Sequence, residues 1–166
     1  DDLVNLYHDA PLLIELEIIS AFPAVVGTFR DGGVVIWVNP NDNTHGIVMS
    51  VSDVAGPTVW FNNSTNTVTG ATATDIGTGQ ANTTTIVESQ GAGDYAAKIC
   101  DDLILESYSD WFLPSEYTWN ALGQNRALID SRFAENGGSP IGVSYWSSSE
   151  DSLGWAHYFL SNNNFS

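Results

Sequence analysis

Cys100 is the only cysteine among 166 residues. That removes two common ways of holding a chain together, since neither an intrachain disulfide nor a multi-cysteine zinc site can form. The fold must therefore rest on packing alone. The means are present: 43% of the residues are hydrophobic, and six Trp, six Tyr and seven Phe supply large anchors. The length fits one domain, for which roughly 100–200 residues is usual. Fifteen glycines and many Asn, Ser and Thr cut the chain into short elements joined by turns and long loops. Cys100 itself falls in an apolar-patterned stretch and is expected to be a buried structural thiol. The missing disulfides do not imply a cytoplasmic home, because a domain of this size can do without them.

Charge narrows the partners. Four basic residues, Arg30, Lys98, Arg126 and Arg132, stand against twenty acidic ones, for a formal charge of -16. Nucleic-acid affinity comes mainly from Lys and Arg neutralising phosphate, so a nucleic-acid partner is excluded, and anionic lipid surfaces with it. The charge serves solubility and mutual repulsion. The apolar run Leu12–Ile19 is too short and too acidic for a membrane span, so no direct membrane insertion is expected. No signal peptide is visible. A start at Asp1 is expected of a processed product or an expressed piece, with any targeting segment already removed.

Periodicity gives the elements. Leu12, Ile14, Leu16 and Ile18 alternate like a strand, while Leu12, Leu16 and Ile19 would share one helical face. Val34–Val38 and Ile47–Met49 read as a β-hairpin around the polar turn Asn39–Gly46. Val59–Phe61 suggests a short strand. Asn62–Thr85 reads as a long surface loop, with Asn82-Thr83-Thr84 capping a short helix that carries Ile86 and Val87. Tyr95, Ile99 and Leu103 recur at helical spacing, which predicts a helix over about Asp94–Leu105. Ser115 is the expected N-cap of a helix carrying Tyr117, Trp119 and Leu122. Arg126–Asn136 predicts another, stopped by Gly137-Gly138. Strands are expected from Tyr145 and over Trp155–Leu160.

Five segments, in order, resemble one family. They are Asp31–Val38 with His45-Gly46, Ile76–Thr83, Tyr95–Cys100, Ser109–Ser115 and Tyr145–Glu150. Together they resemble the C-terminal domain of bacterial collagen-like adhesins, over about Phe29–Phe159. The resemblance implies a C-type-lectin-like α+β fold, with two helices flanking small antiparallel sheets and long loops. It places residues 1–28 as an N-terminal extension packing on the domain or on a partner, and 29–166 as the domain. Members usually continue into a final strand with an Arg-containing motif. Here either the C-terminal end is incomplete or another segment, such as Leu12–Ile19, fills that place.

Some lectin-like proteins of this group are the variable proteins of diversity-generating retroelements, rewritten near the C-terminus at Asn-type codons. The tail from Glu150 to Ser166 is similar, mixing Asn with the products of such rewriting; the alternative is that these are ordinary loop residues. The resemblance thus implies a variable region of about 145–166. Its candidate ligand-binding residues are Asp151, Ser152, Leu153, Ala156, His157, Tyr158, Leu160, Asn162, Asn163 and Asn164, on a scaffold of Trp111, Trp146, Trp155 and Phe159. Tyr with short polar neighbours is the composition of adaptable contact surfaces. The implied function is surface display of a diversified binding site, extracellular on a cell or virion. The partner would be a protein or glycan ligand, with homo-oligomers as a further expectation. The alternative is an invariant glycan-binding adhesin.

Catalysis is not expected. Formylglycine-generating oxidases share the fold but use reactive cysteines, which Cys100 does not resemble. Glu150 and Asp151 would point to opposite faces of a strand. His8, His45 and His157 lie far apart and lack a nucleophile. The calcium motifs of sugar-binding lectins are absent, and Asp42 between Asn41 and Asn43 reads better as a polar turn than as a cation site. No metal or cofactor is expected.

Overall fold

A computed structural model describes residues 23–62, 67–142 and 144–160, and the backbone of 8–9, 13–16 and 164–165. The strands and helices, in order, are β1 (His8–Asp9), β2 (Leu13–Leu16), β3 (Phe29–Arg30), β4 (Gly33–Val38), β5 (Gly46–Met49), β6 (Pro57–Thr58), α1 (Gly79–Gln90), α2 (Ala96–Asp101), β7 (Trp111–Phe112), α3 (Glu116–Gln124), α4 (Arg126–Glu135), β8 (Ser144–Glu150), β9 (Ala156–Leu160) and β10 (Asn164–Phe165). The class is α+β with small antiparallel sheets; the four helices stand where periodicity placed them, two more than the family resemblance implied.

A five-stranded sheet runs β3-β4-β5-β2-β7 and a three-stranded sheet runs β10-β9-β8. The β4–β5 hairpin follows from its β-branched residues, which fit a pleated surface. The N-terminal ambiguity resolves in favour of a strand: Leu13–Leu16 pairs with β5 on one side and with β7 on the other. This segment is therefore interior to the sheet, and Leu13–Leu16 packs on the domain itself.

Two buried clusters fill the molecule. One gathers Val35, Val48, Trp60, Ile86, Tyr95, Cys100, Trp111 and Leu113 with Trp146. The other gathers Val34, Ile36, Ile47, Met49, Trp119, Leu122, Ile129 and Phe133 with Phe159. Alternate residues of β4 feed opposite clusters, as the period of two in a strand requires. Trp119 stacks on both Tyr145 and Phe159, cross-strand neighbours on β8 and β9, with centroids 5.2 Å apart in each pair.

Several expectations need correction. The stretch 76–83 is not all loop, because α1 begins at Gly79. Asn82 and Thr83 are poor helix formers, yet both are buried. The Asn82 amide donates to the Ala73 carbonyl at 2.6 Å, and Thr83 Oγ1 accepts the Leu113 N–H at 3.0 Å. Gly79 allows the approach, since a Cβ there would stand 2.6 Å from the Phe112 ring. The helix expected over Asp94–Leu105 shrinks to Ala96–Asp101 because Tyr95 is extended and Glu106 and Ser107 turn with positive φ. Val59–Phe61 is not a strand; the paired residues are Pro57–Thr58. Ser115 is the N-cap of α3 by position, but its hydroxyl serves the Asp75 carbonyl and Thr118 instead of the helix amides.

Candidate functional site

β8 is the beam on which the candidate site rests. From Tyr145 to Glu150 every residue is buried, three serines included. Buried hydroxyls are costly unless bonded, and these bind irregular backbone. Ser147 Oγ donates to the Pro114 carbonyl and Ser149 Oγ donates to that of Ala73 at 2.7 Å. Ser149 Oγ also accepts the Glu116 N–H at 3.2 Å. Three indoles clamp the same region. Trp60 and Trp119 donate to the Ser147 and Trp146 carbonyls, and Trp146 donates to that of Thr58. Residues 145–150 of the expected variable region are thus core, and substitutions there would cost packing and hydrogen bonds.

Glu150 ends the beam. Its N–H donates to the Ala71 carbonyl at 2.9 Å and its carboxylate accepts the Gly70 N–H at 2.5 Å. Glu150 pairs with Ala156 across the hairpin, which leaves Asp151–Trp155 as a five-residue tip. Asp151 organises that tip. Its carboxylate accepts the Leu153 and Trp155 N–H groups at 2.8 and 2.9 Å. Its own N–H donates to the Trp155 carbonyl, and the Gly154 N–H donates to the Asp151 carbonyl at 3.1 Å. Asp at the first and Gly at the fourth position of a turn is the pattern expected for this geometry. Gly154 has φ of +82°, and a Cβ there would stand 3.0 Å from the Val68 side chain. Val68 thus lies against the tip.

The tip points apolar groups at solvent. Leu153 is 71% exposed, Val68 58% and Trp155 45%. Trp155 therefore departs from the scaffold role expected of it. It follows the Gly154 turn and has its amide held by Asp151, which leaves its ring outside both clusters. Trp111, Trp146 and Phe159 are buried.

Of the other candidates, Ser152 is exposed, while Ala156, His157, Tyr158 and Leu160 are half-buried along β9. His157 Nδ1 lies 2.8 Å from the Glu116 carboxylate at the start of α3. Tyr158 meets Trp146 edge to face, with centroids 6.2 Å apart. Asn164 is placed only as the backbone partner of Leu160, and Asn162 and Asn163 lie outside the described residues. Asp151, Ser152 and Leu153 thus share the tip, and the β9 residues continue from its base. Val68 and Glu116 were missed, being distant in sequence. Asp151, a candidate contact residue by sequence, is instead the organiser of the turn, as the Asp-Ser-Leu-Gly pattern marks it.

Other groups are engaged in structure. The Asp42 carboxylate is bonded by the Thr44 hydroxyl and N–H and meets His45 Nδ1 at 2.5 Å; the Thr44 bonds hold its pKa below the ordinary carboxylate value. Cys100 is fully buried, and burial pushes its thiol pKa up. Among the described residues, no group of three or more His, Cys, Asp or Glu is placed to hold a metal ion, and no helix is long and apolar enough to cross a membrane. Comparison with known proteins finds no matching family model, no matching curated protein and no matching solved structure.

Proposed function

We propose that this chain is a non-catalytic ligand-binding domain of the C-type-lectin-like kind, displayed outside the cell or on a virion. Its binding site is the 151–155 tip with the adjoining face of β9. One observation carries this reading: an outward-facing apolar tip is fixed by backbone bonds to Asp151 on a strand whose last six residues are buried. A preorganised loop loses little conformational entropy on binding, so its exposed side chains convert contact into affinity efficiently.

The same separation of roles suits a diversified segment. Ser152 and Leu153 project from the tip without carrying either core cluster, so exchange there leaves the scaffold standing. We read the segment as the variable region of a retroelement-diversified protein. It begins at Asp151 and not at 145, because Tyr145–Glu150 are buried, and Phe159 is an interior anchor within it. The exposed Trp155 ring favours a second reading, an invariant glycan-binding adhesin, because an exposed aromatic face can cover the apolar face of a sugar.

Sequencing the 3′ end of this gene in many relatives tests the proposal. Changes should cluster at Ser152, Leu153, Ala156, His157, Tyr158 and Leu160, while Ser147–Glu150 and Phe159 stay fixed. Changes spread evenly over the chain would overturn the diversified reading. An unvarying tail combined with glycan-array binding that Trp155→Ala abolishes would establish the second reading instead.

A further inference from the structure

A second exposed apolar patch lies on the other sheet. Val25 is 60% exposed, Phe29 46% and Leu128 39%. Val25 and Phe29 flank the turn before β3, where the Thr28 N–H donates to the Val25 carbonyl and Gly27 lies against the Leu128 side chain. β3 is an edge strand of the five-stranded sheet. Ala127, Ser131 and Ala134 of α4 are exposed beside Leu128, which adds small side chains to the same helix.

The charge around this patch is unlike that of the rest of the molecule. Arg30 pairs with Asp31, Arg126 with Asp130 and Arg132 with Glu135. The β3 turn and α4 together are therefore neutral. With three of the four basic and three of the twenty acidic residues gathered here, the remainder of the chain holds Lys98 against seventeen acidic residues. Two copies approaching through the acidic remainder bring more like charge together, which costs free energy. By this face they bring apolar groups framed by three ion pairs, with Glu106 beside Gly32 adding one negative charge at the Asp31 end.

We infer that the Val25–Phe29–Leu128 face is a self-association surface whose partner is a second copy of this chain. A two-fold contact places each patch on its own equivalent. The attraction is apolar burial and the opposition is long-range repulsion between two chains of charge -16. Salt screens the second without weakening the first, so association tightens as salt rises. An interface held by ion pairs between copies would do the reverse.

Analytical ultracentrifugation over a concentration series tests this. The expected result is a reversible dimer whose Kd falls between low salt and about 0.5 M salt. Leu128→Glu and Val25→Asp should each raise Kd by at least about tenfold while leaving the thermal unfolding midpoint unchanged at concentrations well below Kd, where only monomer is present, and Leu153→Asp at the tip should leave Kd unchanged. A monomer at every concentration and salt would overturn the inference. So would a dimer that loosens with salt, or one indifferent to both patch substitutions. Because Leu153 belongs to the proposed ligand site and Leu128 does not, failure here leaves the binding-site reading standing.

Discussion

Asp151 and Trp155 hold each other twice: the Asp151 N–H donates to the Trp155 carbonyl, and the Trp155 N–H donates to the Asp151 carboxylate at 2.9 Å. The pair closes a loop whose apolar side chains have no place in either core cluster. Order at the tip therefore comes from polar bonds, and its outward face remains available for exchange. The half-buried β9 residues behind it are steadied differently, by Glu116 on one face and Trp146 on the other.

Asp151→Ala is expected to loosen the tip without dismantling the domain. It removes two hydrogen bonds to a carboxylate at a half-exposed site, and each such bond contributes about 1–2 kcal/mol or less once solvent screening is allowed for. Hydrogen exchange at the Leu153 and Trp155 amides should quicken by at least about tenfold, since 1.4 kcal/mol corresponds to a factor of ten. Protection elsewhere, as at Ser148, should be unchanged. Equal acceleration across the whole chain would show that Asp151 supports global stability instead.

Trp155 is more exposed than the half-buried Trp37 and far more exposed than Trp60, Trp111, Trp119 and Trp146. Acrylamide should therefore quench a distinct fraction of the fluorescence, and Trp155→Phe should remove most of that fraction. The substitution should leave stability within about 0.5 kcal/mol, as is usual for surface changes. A drop of several kcal/mol would place the ring in the core.

Legibility in the sequence followed the range of the interactions involved. The Val34–Met49 hairpin and α4 could be read locally, because β-branched runs and helical spacing act within a few residues. The start of α1 could not. Its Gly, Asn and Thr residues disfavour helix, and they are held there by Ala73 and by Leu113, thirty residues beyond Thr83. Ser147–Ser149 fall inside the expected variable region of about 145–166, and their burial escapes local reading for the same reason, since only the fold brings the Pro114 and Ala73 carbonyls to them. At the tip, the aromatic rule that large rings seek the core favoured burial of Trp155, and the turn made by Asp151 and Gly154 overrode it.

Ser149→Val should be among the most damaging changes in β8 although it replaces a small polar residue with an apolar one. It strands the Glu116 N–H and deprives the Ala73 carbonyl of one donor in a fully buried site. A buried group left without its partner costs about 1–3 kcal/mol, and the larger side chain adds strain in a packed site. Urea unfolding should show a loss of about 2–5 kcal/mol. Ser152→Val at the exposed tip should show almost none, and equal effects at the two positions would contradict the buried beam described for β8.

Cys100 gives the chain a defined weakness at alkaline pH. Burial raises its pKa above the ordinary value of 9.0, so above that pH the unfolded chain loses the thiol proton while the folded chain keeps it. The folded state then binds more protons than the unfolded one, and stability must fall as pH rises. The slope contributed by one such group is about 1.4 kcal/mol per pH unit once the unfolded thiol is fully ionised. Tyr95, whose pKa burial raises from 10.0, adds the same sign at higher pH. Below pH 10 the decline should therefore be due mainly to Cys100. Urea midpoints measured across pH 8 to 10 should drop in the parent chain. In Cys100→Ala, destabilised throughout by the lost sulfur contacts, most of that pH dependence should vanish. An unchanged slope in the variant would mean that another group titrates there.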